Sequence, residues 1–284
     1  MLDLSSRTPA LQRARGRATV TLKRGEGAAR LDHLWQEGSA KAILPRTDAR
    51  HPEVVFLNTS GGLTGGDRLH YGLTVPPGLT AVATTQTAER AYDAGDGRAQ
   101  ATVALSVGAG GWLDWLPQET ILFEGAALDR EVTLDLGAGA GCLFLETVIL
   151  GRHAMGETPR GLSLRDLRAI TRDGVPLWTE PLHIDAGVLA RAAGPAMLGG
   201  ARAMATLVLV HPGAGGLVGP LRDALDEPGV EAAASAFATP TGARLVLRAL
   251  ARDGWPLRRQ TLRALAVLRP HLPTRGPLPR VWQA

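Results

Sequence analysis

Cysteine is almost absent from this 284-residue chain, since Cys142 is the only one. A single cysteine excludes an internal disulfide and any cysteine-rich metal cage. Cys142 lies in an apolar run, where a buried and unreactive thiol is the usual state. Chains without disulfides are typical of reducing compartments, so we expect a cytoplasmic protein.

Lysine and catalytic signature motifs are equally scarce. The only lysines are Lys23 and Lys41, and no G-x-x-x-x-G-K-S/T phosphate loop is present, which argues against nucleotide hydrolysis. The glycine-rich run at residues 213–219 misses the dinucleotide-binding pattern because its last glycine comes one residue late. Neither H-E-x-x-H nor G-x-S-x-G occurs, and the seven histidines show no metal-ligand spacing. We therefore expect no stably bound cofactor.

Aromatic residues make up only 4% of the chain, which leaves few platforms for stacking nucleic-acid bases. No apolar run reaches the roughly 18 residues that a membrane helix needs, so no membrane partner is expected. The net charge of +4 is unevenly distributed: residues 1–100 carry +3, residues 101–200 carry −5 and residues 201–284 carry +6. A basic final third beside an acidic middle indicates electrostatic pairing with other proteins, with solvated surface charge as the alternative.

Short apolar segments, in contrast, recur about every 8–14 residues with glycine or proline between them. Residues 99–107 show the clearest alternation of apolar with polar or small side chains, the period of a strand. This rhythm is typical of antiparallel β structure. We predict a mainly β protein with packed, antiparallel-rich β-sheets in one large domain, residues 17–284, after a flexible arm at residues 1–16.

A few helices are predicted in the C-terminal third. Residues 216–236 are alanine-rich with leucines at helical spacing, which predicts two short helices. Residues 256–268 predict a helix that Pro270 stops, followed by an extended, proline-rich tail. Residues 182–189 belong to the strand-like part of the pattern.

The most unusual stretch is residues 57–69, where two glycine pairs are followed at once by Asp67 and Arg68. Glycine adopts positive φ and permits close approach to the backbone, so this stretch predicts a tightly folded connection between strands. One interpretation is a structural hairpin turn. The other is a surface where bare backbone and Asp67 meet a partner or an ion. The turn glycines are Gly61, Gly62, Gly65 and Gly66.

Several carboxylates stand beside glycine turns or prolines in β-rich segments. A buried carboxylate must be paired, hydrated or bound to a cation, because desolvation is costly. Each taken singly fits an exposed surface position, whereas together they fit a polar passage for a hard or borderline cation. The set comprises Asp67, Glu89, Glu119, Glu124, Glu146 and Glu157.

Four motifs around these residues closely resemble the successive signatures of the urease accessory protein family UreD, also called UreH. They are NTSGGLTGGD (58–67), TTQTAERAY (84–92), LPQETI (116–121) and GRHAMGE (151–157), in the family's order. Residues 30–46 and the LPRVW run at 278–282 are also similar, so the resemblance covers nearly the whole chain.

The resemblance implies a mostly β maturation factor rather than an enzyme. Members of the family bind the accessory protein UreF, and through it the GTPase UreG, and these proteins load nickel into apo-urease. The expected partners are therefore UreF, UreG through UreF, and the urease apoprotein. Nickel would be in transit, and GTP would act only through the partner GTPase.

On this model, transient carriage of nickel falls to five carboxylates: Asp67, Glu89, Glu119, Glu146 and Glu157. Arg90, Tyr92 and Arg152 are candidates for positioning or partner contact. Carboxylates suit nickel less well than neutral histidine does, so weak carriage fits these residues better than storage.

Two functions of other classes remain open at this stage. A hydrolase or transferase would use Asp67 and Glu157 as acid and base. A nucleic-acid-binding module would use the arginine-rich final third, although that third lacks interleaved aromatic residues.

Overall fold

A computed structural model describes residues 13–26, 29–46, 51–239 and 242–283. Within these ranges the chain is mainly β, with short connections and three α-helices. The strands, in chain order, are β1 (Arg15–Arg24), β2 (Ala29–Gly38), β3 (Ala40–Ile43), β4 (Glu53–Asn58), β5 (Arg68–Val75), β6 (Thr80–Thr85), β7 (Glu89–Ala91), β8 (Ala99–Val107), β9 (Trp112–Trp115), β10 (Thr120–Leu122), β11 (Ala127–Leu136), β12 (Gly141–Leu150), β13 (Ser163–Arg172), β14 (Val175–Ile184), β15 (Ala203–Val210), β16 (Val230–Thr239) and β17 (Gly242–Ala251). The helices are α1 (Ala186–Ala190), α2 (Ala214–Asp223) and α3 (Gly254–Leu268).

Two sheets face each other across the main core. Sheet A has seven strands in the order β14-β13-β11-β8-β5-β1-β2. Sheet B has ten, of which eight follow the order β16-β17-β15-β12-β9-β6-β4-β3, while β10 pairs with β12 and β7. None of the helices in the described ranges combines the length and apolarity needed to cross a lipid bilayer.

The predicted mainly β fold with packed sheets and late helices is confirmed, and both sheets contain antiparallel pairs, but parallel pairs, which were not predicted, run through the middle of each sheet. Strands β1, β5, β8, β11 and β13 of sheet A pair in parallel, and so do β4, β6, β9 and β12 of sheet B. Among the described strands, antiparallel pairs lie towards the outer parts of each sheet.

The physical reason lies in the loops at residues 76–79, 108–111 and 137–140, which carry the chain to the opposite sheet instead of back along the same one. These loops stack: Gly78 N donates to Ala109 O at 2.8 Å, and Gly110 N donates to Ala138 O at 2.8 Å. Successive strands of one sheet are therefore separated by a strand of the other, which is the arrangement of a β-solenoid. Glycine and proline mark a hairpin and such an arch equally, so spacing alone does not reveal the parallel pairs.

Parallel stacking aligns like side chains in rows across the sheets. One inward row of sheet A consists of aliphatic residues that are all buried: Val20, Leu73, Leu105, Leu134 and Ile170. The facing row of sheet B contains Val54, Ala83, Trp115, Phe144 and Val208. Burial of these rows supplies the main hydrophobic stabilisation and fixes the register, because a one-residue slip would turn a row outward.

A second core lies on the other face of sheet B. There α2 and α3 cover β15 and β17, with Leu221, Leu257 and Leu265 fully buried against Leu207 and Leu247. Strand β12 is consequently enclosed on both faces, which explains why residues 141–150 form an almost unbroken apolar run instead of alternating. Cys142 lies in this strand and is buried as predicted.

Two local predictions in the last hundred residues differ from the structure. The strand predicted through residue 189 ends at Ile184, because Asp185 caps α1 by accepting a hydrogen bond from Val188 N at 2.9 Å. The second helix predicted within residues 216–236 is strand β16, where pairing with β17 overrides the helix preference of alanine.

Both ends of the described chain also refine the predictions. The tail is not simply extended, since 3₁₀ turns occur at Arg269–His271 and Arg280–Trp282 and the indole of Trp282 is buried. Of the predicted arm, residues 1–12 lie outside the described residues, and Arg15 and Gly16 belong to β1. That residues 17–284 form a single domain stays a prediction.

A chain of buried ion pairs joins the two sheets. Arg130 of β11 contacts Glu146 of β12 at 2.8 Å and Asp166 of β13 at 2.8 Å, and all three side chains are at most 9% exposed. Arg168 continues the chain from Asp166 (2.7 Å) to Glu180 (3.1 Å). Burial alone raises the pKa of Asp166, but the charges of Arg130 and Arg168 outweigh it and hold that pKa below its usual range.

We expect Arg130→Met to lower the free energy of unfolding by about 3–5 kcal/mol, because it leaves the buried Glu146 carboxylate without a cation. Urea denaturation measures the change. The matched control is Arg165→Met on the solvent-facing side of the same sheet, where the side chain is 65% exposed and the ion pair with Asp129 is 3.9 Å long. The control should lose less than about 1 kcal/mol. Equal losses for the two variants would contradict the assignment.

Candidate functional site

An internal cavity lies between the two sheets where polar side chains interrupt the aliphatic rows. The cavity has a volume of about 70 Å³, measured as the space that the centres of water molecules can occupy. It has room for a few waters or a hydrated ion. The first three sequence motifs all contribute to its wall. The lining residues are Leu57, Asn58, Gly61, Leu69, Tyr71, Thr85, Thr87, Ala88, Glu89, Arg90, Ala101, Thr102, Val103, Trp115, Pro117, Gln118, Thr120, Arg130 and Glu146.

Glu89 is the lining carboxylate that pairs with no lysine or arginine in the described part of the chain. It begins β7, where its backbone N donates to Glu119 O at 2.9 Å. Its side-chain Oε1 accepts a hydrogen bond from Asn58 Nδ2 at 3.2 Å. Burial raises the pKa of Glu89 to about 7, although the hydrogen bond from Asn58 and the charge of Arg90 oppose the shift. The group can therefore exchange a proton for a cation near neutral pH.

Tyr71 of β5 provides a phenol on the sheet A side of the same cavity. Burial raises the pKa of Tyr71 strongly, and the nearby Glu89 carboxylate adds to the shift. The phenol therefore stays protonated and can serve as a neutral hydrogen-bond donor or acceptor. Phe56 packs against it at a centroid distance of 4.8 Å and limits its movement.

Glu146 also lines the cavity, but its charge is already balanced. Its Oε2 pairs with Arg130 at 2.8 Å, and its Oε1 accepts a hydrogen bond from Trp115 Nε1 at 2.8 Å. Arg130 in turn donates to Thr120 Oγ1 at 2.9 Å. Glu146 thus contributes a neutralised, hydrogen-bonded surface to the cavity.

Asp67 and Glu119 do not line the cavity. The buried Asp67 carboxylate accepts hydrogen bonds from Ala14 N at 2.7 Å and Thr64 N at 2.9 Å, so it joins the start of β1 to the glycine stretch. Glu119 pairs with Arg258 of α3 at 3.1 Å. Asp67 is therefore engaged by backbone amides and Glu119 by an arginine side chain.

Glu157 and Glu124 brace the fourth motif, which also lies outside the cavity lining. Glu157 pairs with Arg152 at 3.0 Å and accepts a hydrogen bond from Glu124 N at 3.1 Å. Burial raises the pKa of Glu157, but hydrogen bonds from Arg152 and from backbone amides outweigh it and give a lowered pKa. Glu124 accepts from Arg160 N at 2.6 Å and Gly161 N at 2.9 Å.

Of the three residues predicted for positioning or partner contact, Arg90 lines the cavity, whereas Tyr92 and Arg152 pack against Phe123. Arg90 is exposed and belongs to the lining. Tyr92 is 42% exposed and packs against Phe123 at a centroid distance of 5.1 Å, while the Arg152 guanidinium lies 4.8 Å from the centroid of the same ring. These residues form a surface of aromatic and cationic groups, the composition that protein interfaces favour.

The glycine stretch is not a hairpin, because β4 belongs to sheet B and β5 to sheet A. Its backbone folds tightly: Gly61 has φ +81°, and Leu63 makes an isolated parallel bridge to Ala91. A Cβ added at Gly65 would overlap the carbonyl oxygen of Ala94. The stretch therefore locks the sheet crossing beside the cavity, with Gly61 in the wall.

The geometry gives little support to the two alternative functions. Asp67 and Glu157 hold separate backbone segments and share no cavity, so they are not arranged as an acid and base pair. Several arginines of the final third are occupied in internal ion pairs, including Arg258, Arg259 and Arg263. Within the described residues, no group of three or more histidine, cysteine, aspartate or glutamate side chains is arranged to hold a metal.

Sequence reasoning missed several residues that shape the site. Asn58 stands inside the first motif, yet only the structure shows that its amide binds Glu89. Arg130 and Tyr71 lie in ordinary alternating strands and carry no sequence signal of their own.

Burial raises the pKa of Cys142 to about 12, which makes it an unreactive thiol.

The fold and site together define a β-solenoid scaffold with a small internal cavity that polar and apolar side chains line together. The family model described as "UreD urease accessory protein" matches residues 14–283. The chain is similar to "Urease accessory protein UreD" of Cereibacter sphaeroides (strain ATCC 17025), at 64% identity over 96% of each chain. The protein of the same name from Paracoccus denitrificans is 57% identical over 96% of this chain and 93% of its own, and that of Rhizobium etli 42% over 95% and 96%.

The chain belongs to the UreD family of urease accessory proteins. Family membership supports a role in the maturation of urease.

Substitutions in the glycine stretch should separate close packing from backbone strain. Gly65→Ala should destabilise the protein by about 3 kcal/mol or more, because the backbone of residues 94–97 has to move. Gly61→Ala should cost only about 1–2 kcal/mol, because open space surrounds it and only its positive φ is unfavourable. Chemical denaturation compares them. A larger loss for Gly61→Ala would contradict the close packing described at Gly65.

Glu89→Gln should stabilise the protein at high pH. The folded state raises the pKa of Glu89 from 4.5 to about 7, so the folded protein holds a proton that the unfolded chain releases between these values. The stability of the parent therefore falls as the pH rises through about 7, whereas the variant lacks this ionisation. Its melting temperature should exceed that of the parent at about pH 8, and the difference should shrink towards about pH 5. A pH-independent difference would contradict the raised pKa.

Proposed function

We propose that this chain is a non-enzymatic scaffold of urease maturation that binds apo-urease and UreF, and UreG through UreF. Nickel passes through its cavity on the way to the urease active site, and GTP acts only through UreG. Because the thiol of Cys142 is buried and reduced, this assembly suits the cytoplasm.

The observation that carries the nickel proposal is the carboxylate of Glu89, without an arginine or lysine partner among the described residues, in a cavity of mixed polar and apolar lining. A cation entering the cavity meets one ionisable oxygen ligand that pairs with no described lysine or arginine, flanked by the amide of Asn58. The nearby Glu146 carboxylate is neutralised by Arg130, so it adds polar surface to the wall of the cavity without adding net negative charge. A single anionic ligand with neutral oxygen donors binds a borderline cation weakly, and weak binding suits transfer better than storage.

The proposal narrows the predicted metal ligands from five carboxylates to Glu89 as the direct ligand, with Glu146 beside it. Asp67, Glu119 and Glu157 lie outside the cavity lining and are bound by a backbone amide, by Arg258 and by Arg152, respectively. Arg90, which belongs to the cavity lining, forms with Tyr92 and Arg152 the surface that we assign to partner contact.

Glu89→Gln tests the nickel proposal directly in cells that produce the urease subunits and the other accessory proteins. It keeps the size and hydrogen-bonding capacity of the side chain while removing the negative charge. We expect the nickel content and activity of purified urease to fall about tenfold or more, while UreF is still recovered with the chain. Metal analysis and a co-purification assay measure the two effects.

The matched control is Glu131→Gln, which removes an exposed carboxylate from the outer face of sheet A. This variant should leave the nickel content unchanged. Full nickel loading with Glu89→Gln would refute the proposed role of the cavity. Loss of UreF together with loss of nickel would show that Glu89 acts through assembly instead.

A further inference from the structure

Arg258 and Trp282, both in the C-terminal part of the chain, contact the wall of the cavity but do not line it. The Trp282 indole is 4% exposed, and its Nε1 donates to the carbonyl oxygen of Leu116 at 2.8 Å. The Arg258 guanidinium of α3 stacks 4.7 Å from the centroid of that indole. Arg258 also donates to Gln118 Oε1 at 2.9 Å and Glu119 Oε1 at 3.1 Å. We call Arg258 and Trp282 the clasp.

The segment that the clasp holds connects directly to Glu89. Residues 116–119 join β9 to β10 and lie outside both strands. Their last carbonyl, Glu119 O, accepts the backbone hydrogen bond from Glu89 N at 2.9 Å. The first residue of β10, Thr120, is the parallel partner of Glu89. The backbone of Glu89 therefore rests on the segment that the clasp fixes.

The short strands at this point need outside support. β7 and β10 have three residues each, the lower end of the usual strand length, so few backbone hydrogen bonds hold their register. The clasp supplies a charge-assisted hydrogen bond to a partly buried carboxylate, a hydrogen bond to an amide oxygen and a cation–π contact. Arg258 makes a third hydrogen bond, from its Nη2 to Val281 O at 3.3 Å, which connects it to the residue before Trp282.

We propose that Arg258 and Trp282 are positioning residues for the cavity: they hold residues 116–120 so that Glu89 keeps its buried place. The importance of this arrangement for nickel transfer rests on the proposed function. The positioning of Glu89 itself is a property of the isolated chain. The test therefore uses the purified full-length protein without urease.

Hydrogen exchange of backbone amides measures whether the clasp fixes this wall. Arg258→Ala should speed exchange of the amides at residues 89–91 and 116–122 by about tenfold or more relative to the parent. The matched control is Arg263→Ala, which removes another ion-paired arginine of the same helix, one that contacts Asp226 and Glu227. The control should leave these amides unchanged. Equal protection of the wall in both variants would overturn the proposal.

A second readout separates positioning from general destabilisation. If the clasp acts locally, Arg258→Ala should speed exchange at residues 89–91 and 116–122 while the amides of β13 and β14, in sheet A, exchange as in the parent. General destabilisation speeds exchange throughout the protein. An equal increase of the exchange rate in β13 and β14 would therefore overturn the proposal.

Milder variants keep the test informative if Arg258→Ala fails to fold. Trp282→Phe removes the indole N–H but keeps a ring beneath the guanidinium, and it should speed exchange at residues 116–119 less than Arg258→Ala does. Arg258→Lys keeps the charge and should partly restore protection. The two proposals can fail separately. Faster exchange in Arg258→Ala, together with normal nickel loading of urease in cells that carry Glu89→Gln, would support the positioning role of the clasp and reject the proposed function.

Discussion

The Arg130 guanidinium, enclosed between Glu146 and Asp166, is the interaction on which the arrangement of the site depends. A buried cation with fewer than two carboxylate partners would be expensive, and so would either carboxylate without it. Because Glu146 comes from one sheet and Arg130 from the other, satisfying these charges also fixes the distance between the sheets at this point. These ion pairs therefore hold the two sheets together and also balance the buried charges.

This charge balance explains why Glu89 differs from its neighbours. The other carboxylates singled out in the chain are bound to arginines or backbone amides, and their electrostatic demand is met inside the protein. Glu89 has only the Asn58 amide and backbone partners, so its ionisation stays responsive to pH and to an incoming cation. Among the carboxylates predicted as nickel ligands, Glu89 is therefore the one that remains available to a cation.

Much of the fold was predictable, because burial of one strand face leaves a period of two in residues such as 99–107. The pairing was not predictable, since the glycines at residues 108–111 fit an arch as well as a hairpin. The candidate site was predictable only as a set of carboxylates. What separates Glu119 from Glu89 is an arginine 139 residues away, and Asp67 is held by an amide 53 residues away. Such partners meet only through the tertiary fold.

The hydrogen bond from Trp282 to Leu116 spans 166 residues of sequence and so bears on how the protein is made. As synthesis proceeds from the N-terminus, the coils of the solenoid can stack on one another while the ribosome is still translating. The wall beside Glu89 obtains its last contact only after Trp282 has been synthesised. A chain interrupted just before Trp282 would contain all the strands and α-helices of the described fold, yet it would lack this hydrogen bond to the wall of the cavity.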